Sequence, residues 1–286
     1  MIAYASQRHY SDHLQPFDVA IVNRRPVNES HVLVASRRDA RKLEPCKQTE
    51  VAVIEHGAGQ RYHIDAGGPE VEHKNVTLFL APSARVVRQS RHLFPNADCV
   101  VVGSARVEQL SKLERDPRDI ALTFHWNSPV APEAMSAWQH YQRTLPLLKH
   151  LPLIGHAHPA IASKLRHWYK RYDVEFVEDW ADVVKRAKLL VVDNSSVMWE
   201  ACALGIPVVV LNAPWYRRDV NFGLRFWGKS DIGPHVEQPN ELAAAIELVL
   251  TADRWQLRRQ RAAEYVYGDI AGATARARER VTEWAL

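Results

Sequence analysis

The chain has 286 residues, of which 47% are hydrophobic and 24% are charged, as expected for globular material with room for two modest domains. Its formal net charge of +4 is too small to indicate nucleic-acid binding. The sequence contains no apolar run of membrane-spanning length, its start lacks the features of a signal peptide, and its three cysteines lack metal-ligand spacing. We therefore expect a cytoplasmic protein without an integral membrane segment.

Short apolar strands alternate with helical patterns along the chain. The first run has a predicted helix at residues 83–93 and predicted strands at residues 2–5, 19–23, 32–35, 51–54, 78–80 and 100–102. The second run has predicted strands at residues 120–124, 151–154, 174–176, 189–192 and 208–211. Its predicted helices are residues 133–148, 160–172, 180–186, 196–204 and 241–250. Alternation of this kind predicts right-handed crossovers and parallel sheets.

A charged break at residues 114–119 separates the two runs. We therefore predict an α/β protein with one Rossmann-like domain in residues 1–115 and a second in residues 116–253. Residues 254–286 are predicted to form a carboxyl-terminal helix, and its return to the first domain is left open.

Polar segments follow the predicted strands at six points, each where a strand ends. They are Glu55-His56-Gly57, Gly103-Ser104-Ala105-Arg106, His125-Trp126-Asn127, Gly155-His156-Ala157-His158-Pro159, Asp193-Asn194-Ser195-Ser196 and the run from Asn212 to Asp219. In parallel α/β sheets, ligands bind outside the carboxyl ends of the strands. The positions therefore predict two domains that face a cleft, with ligand-binding groups on both walls.

The segment from Asp193 to Pro207 is the most informative part of the sequence. An apolar strand leads into a polar turn, a helix follows, and a glycine ends the helix before a second strand. Helix amino ends present unpaired N–H groups and a partial positive charge, which suit phosphate. We predict that Glu200 accepts hydrogen bonds from a ribose, and that phosphate is bound by Asp193, Asn194, Ser195 and Ser196. The simpler alternative is that one of these polar residues only caps the helix.

His56 is the predicted catalytic base. It follows a buried strand and precedes Gly57, so that a neutral imidazole could take a proton from an acceptor hydroxyl, oriented by Glu55. Asp65, in a glycine-containing loop nearby, is a second candidate base. The alternative is that His56 only forms a hydrogen bond with the backbone at the strand end.

Four further residues are candidates for binding the donor phosphates. His158, directly before Pro159, is predicted to face the leaving diphosphate, and a helix-capping histidine is the alternative. Arg217 and Arg218 are predicted to neutralise the same diphosphate in place of a metal, and the alternative is a pair of surface arginines. Arg106 adds a weaker candidate in a glycine turn.

Taken in order, these segments resemble the GT-B fold, and within it the CDP-glycerol glycerophosphotransferases of teichoic-acid synthesis and related nucleotide-sugar transferases. The resemblance spans about residues 50 to 235. It is carried by an HG loop, a G-x-x-R loop, an HP loop and D-N-S-S-x-x-x-E-A-x-x-L-G-x-P, which begin here at Glu55, Gly103, His156 and Asp193. The last of these motifs is the specific one.

The resemblance implies a donor nucleotide bound by the second domain, an acceptor bound by the first, and inversion without an essential metal or a cofactor. His56 corresponds to the proposed catalytic base of that family, and His158 to the histidine near the donor pyrophosphate. The residues corresponding to phosphate and ribose contacts are Ser195, Ser196 and Glu200. The first half of this chain is short for a GT-B enzyme, which leaves the acceptor open.

We therefore expect a metal-independent transferase that moves a sugar or a polyol phosphate to a hydroxyl acceptor. A macromolecular acceptor, such as a protein, a cell-wall polymer or DNA, is left open. One alternative is a UDP-sugar 2-epimerase, although such enzymes usually carry Ser-Gly-Gly where this chain has Asn194-Ser195-Ser196. Another is a nucleotide- or glycan-binding protein without turnover. The sequence lacks the glycine motifs of P-loop kinases and of dinucleotide dehydrogenases.

Overall fold

The structure, a computed structural model, describes residues 1–46, 48–58, 71–127, 132–216 and 229–286. The described residues form two compact units, which we call the first and the second domain. The first domain contains residues 1–58, 71–112 and 264–286, and the second contains the described residues between 113 and 263. The first domain is therefore assembled from separate stretches of the chain.

In its described part, the first domain has one six-stranded sheet in which every strand pair is parallel. The strands are β1 (Ile2–Tyr4), β2 (Ile21–Val22), β3 (His31–Val34), β4 (Glu50–Ile54), β5 (Val76–Ala81) and β6 (Asp98–Val101). They lie side by side in the order β2-β1-β3-β4-β5-β6. The helices that follow strands of this sheet are α1 (Arg8–Leu14), α2 (Arg37–Leu43), α3 (Ala84–Ser90) and α4 (Ala105–Ser111).

The second domain has, among its described residues, another six-stranded parallel sheet. Its strands are β7 (Asp119–Phe124), β8 (Leu153–Ala157), β9 (Glu175–Phe176), β10 (Ala187–Val192), β11 (Val208–Leu211) and β12 (His235–Val236). They lie in the order β12-β11-β10-β7-β8-β9. The helices are α5 (Trp138–Tyr141), α6 (Ala162–Lys170), α7 (Trp180–Arg186), α8 (Val197–Ala203) and α9 (Leu242–Thr251).

The central strands are apolar runs because both faces of each sheet are covered. Val208–Leu211 and Leu189–Val192 are buried along their whole length, without the alternation of a half-exposed strand. In the first sheet, Leu33 and Ala52 face one core cluster, whereas Val32 and Val51 face the other. Each central strand therefore supplies apolar side chains to a layer on either side.

The last two helices return the chain to the first domain. α10 (Gln256–Tyr267) crosses the domain boundary, and α11 (Ala273–Ala285) lies wholly within the first domain. Ala277 and Val281 of α11 are buried in the same cluster as Leu78 and Leu80 of β5. In addition, the indole N–H of Trp284 donates to the Thr77 hydroxyl at 2.8 Å. α11 is thus an integral layer of the first domain.

Several elements differ from their predicted form. The predicted helix at residues 133–148 is broken into α5 and two 3₁₀ turns, Pro132–Ala134 and Leu145–Leu148. Pro146 has no N–H for a continuous helix, and the Thr144 hydroxyl donates to the Tyr141 carbonyl at 2.6 Å. α1, α2, α4 and β12 were not predicted. Among the described residues, no helix is long and apolar enough to cross a lipid bilayer.

Candidate active site

Asp193 organises the carboxyl edge of the second sheet. It directly follows β10 and is completely buried. Its carboxylate accepts hydrogen bonds from the His125 N–H at 2.8 Å, the Ala137 N–H at 3.0 Å and the Ser136 hydroxyl at 3.2 Å. These donors lie in the loop after β7 and at the start of α5. Since a buried carboxylate requires donors of this kind, Asp193 fixes the two loops against the turn after β10.

Asn194 lies beside Asp193 and joins a third loop to this edge. Its side-chain amide donates to the Met135 carbonyl at 3.0 Å. The hydroxyl of Tyr216, in the loop after β11, donates to the same carbonyl at 2.8 Å. Both side chains are buried. The loops after β7, β10 and β11 are therefore held together by hydrogen bonds.

The two serines lie between this network and α8. Ser195 is buried, with 8% of its surface exposed, and Ser196 is partly exposed. Ser196 occupies the position before the first helical residue, but its hydroxyl makes no capping hydrogen bond to the residues that the structure describes. The capping alternative therefore does not hold for the Ser196 side chain. Phosphate binding by the two serines stays a prediction.

Glu200 lies on α8 and is almost completely buried, with 3% of its surface exposed. The indole N–H of Trp180, the first residue of α7, donates to its carboxylate at 2.7 Å. Nothing in the sequence around Trp180 indicated this contact. The carboxylate predicted to bind ribose is thus held by a neighbouring side chain.

His156 and His158 occupy different environments. His156 was expected in a loop, but β8 continues to Ala157, and His156 is a buried strand residue whose Nδ1 lies 2.8 Å from the Thr123 hydroxyl. His158 follows the strand, and its Nδ1 accepts a hydrogen bond from the Ala160 N–H at 3.1 Å. The capping interaction considered for His158 is therefore present. In a neutral ring with Nδ1 as acceptor, the proton lies on Nε2, which is then a donor.

His158 also belongs to an aromatic cluster at the ends of β7 and β8. Its ring lies 5.8 Å from that of Trp126 and 5.5 Å from that of His125, measured between centroids. The His125 N–H is bonded to Asp193, so this cluster borders the turn after β10. One edge of the second sheet thus carries the predicted donor-binding residues His158, Asp193, Asn194, Ser195, Ser196 and Glu200. Arg217, Arg218 and Asp65 lie outside the described residues.

The first domain places His56 at the carboxyl end of β4. Gly57, with a φ of 67°, turns the backbone directly after it. The rings of Tyr10 and His13, both on α1, stand edge-on to the imidazole at centroid distances of 5.1 and 5.9 Å. α1 therefore packs on the predicted base.

Burial lowers the pKa of His56, and the charge of Arg37 acts in the same direction. The charge of Glu55 and a hydrogen bond to the Ala35 backbone oppose this lowering of the pKa. Glu55 is itself paired with Arg37 at 3.2 Å. His56 is thus neutral near pH 7 and able to accept a proton.

α1 contributes two further histidines to this region. Burial is the largest cause of a His9 pKa lowered to about 4, and it also holds the pKa of His13 well below its usual value. The charge of Arg106 contributes to both lowered pKa values, and Arg106 pairs with Asp12 at 3.3 Å. Arg106 therefore lies in the first domain beside the α1 histidines, whereas the other described donor-binding candidates lie in the second domain.

Sequence reasoning did not identify α1 as part of this region. The spacing of His9 and His13 places two imidazoles on one helix face, which was the available signal. Across the described ranges, no group of three or more His, Cys, Asp or Glu side chains has an arrangement that could hold a metal ion.

No protein-family model matches the sequence, and no curated protein matches it. Solved structures do match. The wall teichoic acid polymerase TagF aligns with a TM-score of 0.62 at 14% identity, over 89% of this chain and 72% of that one. S. aureus MnaA, in a co-structure with UDP, aligns with a TM-score of 0.56 at 15% identity, over 96% and 85% of the two chains. UDP-GlcNAc 2-epimerase from Neisseria meningitidis, bound to UDP-GlcNAc, aligns with a TM-score of 0.54 at 14% identity, over 89% of this chain and 76% of that one.

At these identities the likeness shows the fold alone. Two Rossmann-like domains with parallel sheets, matched to these proteins over most of the chain, confirm the predicted GT-B fold. The resemblance to teichoic-acid enzymes is likewise confirmed at the level of structure. The same fold is shared by the polymerase and by the epimerases, so it does not separate the two activities.

Proposed function

We propose that this protein is a transferase that moves a sugar or a polyol phosphate from a nucleotide-activated donor to a hydroxyl acceptor. The observation that carries this proposal is the state of His56. Its imidazole lies at the carboxyl end of a parallel strand, and burial lowers its pKa so that the ring is neutral near pH 7. A transferase acting on a hydroxyl needs a base in this form.

In the proposed reaction, the acceptor hydroxyl loses its proton to the unprotonated ring nitrogen of His56. The acceptor oxygen then forms a bond to the donor carbon or phosphorus. The bond to the leaving group breaks, and its electron pair stays on the phosphate oxygen. The leaving group is a nucleoside diphosphate when a sugar moves, and a nucleoside monophosphate when a polyol phosphate moves. General base catalysis of this kind typically contributes ~10²–10⁴-fold in rate.

The second domain is proposed to hold the donor at the edge that Asp193 organises. Ser195 and Ser196 contact phosphate, and Glu200 accepts from the ribose. The Nε2–H of His158 donates to a phosphate oxygen, as its Nδ1 hydrogen bond to Ala160 supports. The buried carboxylate of Asp193 supports the site through the loops that it fixes rather than through the ligand.

Arg217 and Arg218 remain proposed partners of the leaving phosphates, in place of a metal. The acceptor, on a small molecule, a protein or a cell-wall polymer, is proposed to bind to the first domain. Asp65 remains a second candidate base on the sequence alone. This placement of the acceptor rests on the resemblance of the sequence motifs.

A second candidate function is UDP-sugar 2-epimerisation, which the match to two UDP-bound or UDP-GlcNAc-bound structures favours. An epimerase converts a UDP-sugar with no acceptor present, whereas a transferase consumes the donor only when an acceptor is added. The segment Asn194-Ser195-Ser196 in place of Ser-Gly-Gly supports the transferase. A binding protein without turnover would retain the nucleotide and form no product in either reaction.

The first experiment is a thermal-shift panel of CDP, UDP, GDP, dTDP and ADP, with and without EDTA. The proteins are the wild type, Glu200→Ala and a control, Glu247→Ala, in which an exposed glutamate of α9 is removed. A ligand at ~100 times its dissociation constant should add about 2.7 kcal/mol of stability. We expect one diphosphate to stabilise the wild type and the control, both with and without EDTA. The same diphosphate should not stabilise Glu200→Ala.

The proposed role of His56 as the catalytic base is tested with His56→Gln. This variant should bind the same nucleotide as the wild type but lose acceptor-dependent release of nucleotide from the matching donor. If no diphosphate shifts the wild type, the nucleotide-binding proposal is wrong, and α8 is only a helix of an α/β core. If the protein converts a UDP-sugar without any acceptor, the transferase proposal is wrong and the protein is an epimerase.

A further inference from the structure

We propose that Trp180 is a positioning residue for Glu200, and that through this contact it sets the preference of the protein for ribonucleotides over 2′-deoxyribonucleotides. The inference rests on the proposed nucleotide site and names a determinant of its specificity. Trp180 belongs to none of the sequence motifs that resemble known families. Its role follows from its contacts in the second domain.

The contact between the two side chains is short and buried. The indole Nε1 of Trp180 lies 2.7 Å from the Glu200 Oε2 atom. Trp180 is 6% exposed and Glu200 is 3% exposed. An indole has one N–H and can only donate, and hydrogen bonds to a carboxylate are shorter and stronger than neutral ones. The indole therefore ties one oxygen of the carboxylate to a fixed direction.

Trp180 is itself held in place. It begins α7 directly after Asp179, whose side chain caps the helix by accepting from the Ala181 N–H at 2.8 Å. The indole packs on the ring of His156 at a centroid distance of 5.4 Å. His156 in turn lies 2.8 Å from the Thr123 hydroxyl. A buried chain of side chains thus runs from β7 through β8 and α7 to the carboxylate on α8.

These side-chain contacts reach the edge of the sheet where the nucleotide is proposed to bind. Trp180 lies at the start of the helix that follows β9, and Glu200 at the start of the helix that follows β10, so both lie towards the carboxyl ends of parallel strands. A carboxylate whose direction is fixed before the ligand arrives loses less freedom on binding. It also discriminates better between a ligand that has the matching hydroxyl and one that lacks it.

The expected effect is a selective loss. A ribose hydroxyl that donates to a fixed carboxylate should favour the ribonucleotide over its 2′-deoxy form by about tenfold or more. Trp180→Phe keeps an aromatic ring in the pocket but removes the N–H, so the Glu200 carboxylate loses this hydrogen bond. We expect this variant to bind the ribonucleotide more weakly while its affinity for the 2′-deoxynucleotide is unchanged.

The test is calorimetric titration of UDP, CDP, GDP and ADP, each against its 2′-deoxy form. The proteins are the wild type, Trp180→Phe, Glu200→Gln and the double variant. A matched control is Trp255→Phe, which also removes an indole N–H bonded to a carboxylate, that of Asp231 at 3.1 Å. Asp231 precedes β12, so it lies on the side of the amino end of that strand and not at the carboxyl edge where the nucleotide is proposed to bind. Retained thermal midpoints establish that each variant is folded.

The proposal predicts that the ribo-to-deoxy affinity ratio falls to about twofold in both single variants and falls no further in the double variant. The ratio should remain at the wild-type value in Trp255→Phe. Equal weakening of both nucleotides by Trp180→Phe, or an unchanged ratio, overturns the positioning role and leaves the nucleotide site intact. If none of these diphosphates binds the wild type and dTDP does not bind either, the proposed function itself fails, and this inference fails with it. Binding of dTDP alone would overturn the preference for ribonucleotides.

Discussion

Replacing Asp193 with alanine tests whether one carboxylate holds the edge of the second sheet together. The variant leaves three buried or partly buried donors without their acceptor, namely those of His125, Ser136 and Ala137. An unsatisfied buried donor costs about 1–3 kcal/mol, and water can reach the partly exposed loop at His125. We therefore expect the free energy of unfolding of the second domain to fall by about 3–5 kcal/mol.

Two further variants sharpen this measurement, which is urea unfolding followed by tryptophan fluorescence. Asp193→Asn keeps the shape and one acceptor oxygen but turns an NH₂ group towards N–H donors, so a loss of about 2 kcal/mol is expected. Asp179→Ala removes an exposed helix cap whose carboxylate accepts from one backbone N–H, and should lower the free energy of unfolding by about 1 kcal/mol. A loss for Asp193→Ala no larger than that of Asp179→Ala would refute the reasoning.

Three further outcomes are expected. Arg115→Met should lower the free energy of unfolding by about 2–4 kcal/mol, since the guanidinium donates to three backbone carbonyls at 2.9–3.1 Å; an unchanged urea midpoint would contradict this. Burial raises the pKa of Cys202 to about 12, so iodoacetamide at pH 8 should leave this thiol unlabelled in the native protein, and rapid labelling seen by mass spectrometry would disprove its burial. The folded-state pKa of His9, about 4, lies below the unfolded value of 6.5, so the unfolded chain takes up the proton first as the pH falls. The contribution of neutral His9 to stability is therefore complete above about pH 6.5 and is lost as the pH falls towards 4. Because the ring is partly exposed, the loss is well under ~1.4 kcal/mol per pH unit. Urea midpoints at pH 7, 6 and 5 should therefore fall less steeply in His9→Asn than in the wild type.

The parallel architecture could be predicted because buried strands leave a strong signal. Val208–Leu211 is apolar at every position, and the predicted and observed bounds of β11 coincide. The order of the polar segments at strand ends followed from the same pattern, because the carboxyl ends of parallel strands share one edge. The two Rossmann-like domains were therefore accessible from these patterns, and the GT-B fold from the resemblance of the motifs.

The packing around the candidate site was not accessible in this way. α1 has seven residues, of which Tyr10 and Leu14 are the only fully buried ones, so its apolar periodicity is too short to be recognised. Trp180 is one of nine tryptophans, and its contact with Glu200 spans twenty positions of sequence. Such contacts depend on how strands and helices pack, which local residue patterns do not specify.

The position of α11 determines the order in which the two domains can mature during synthesis. Residues 113–263 leave the ribosome before α11 does, so the second domain can close its core while the first still lacks Ala277 and Val281. Domains generally fold as units, and an incomplete one exposes apolar surface. The domain that is begun first is therefore completed last. A chain cut before residue 273 would carry a whole second domain beside a first domain that is open to proteases and aggregation.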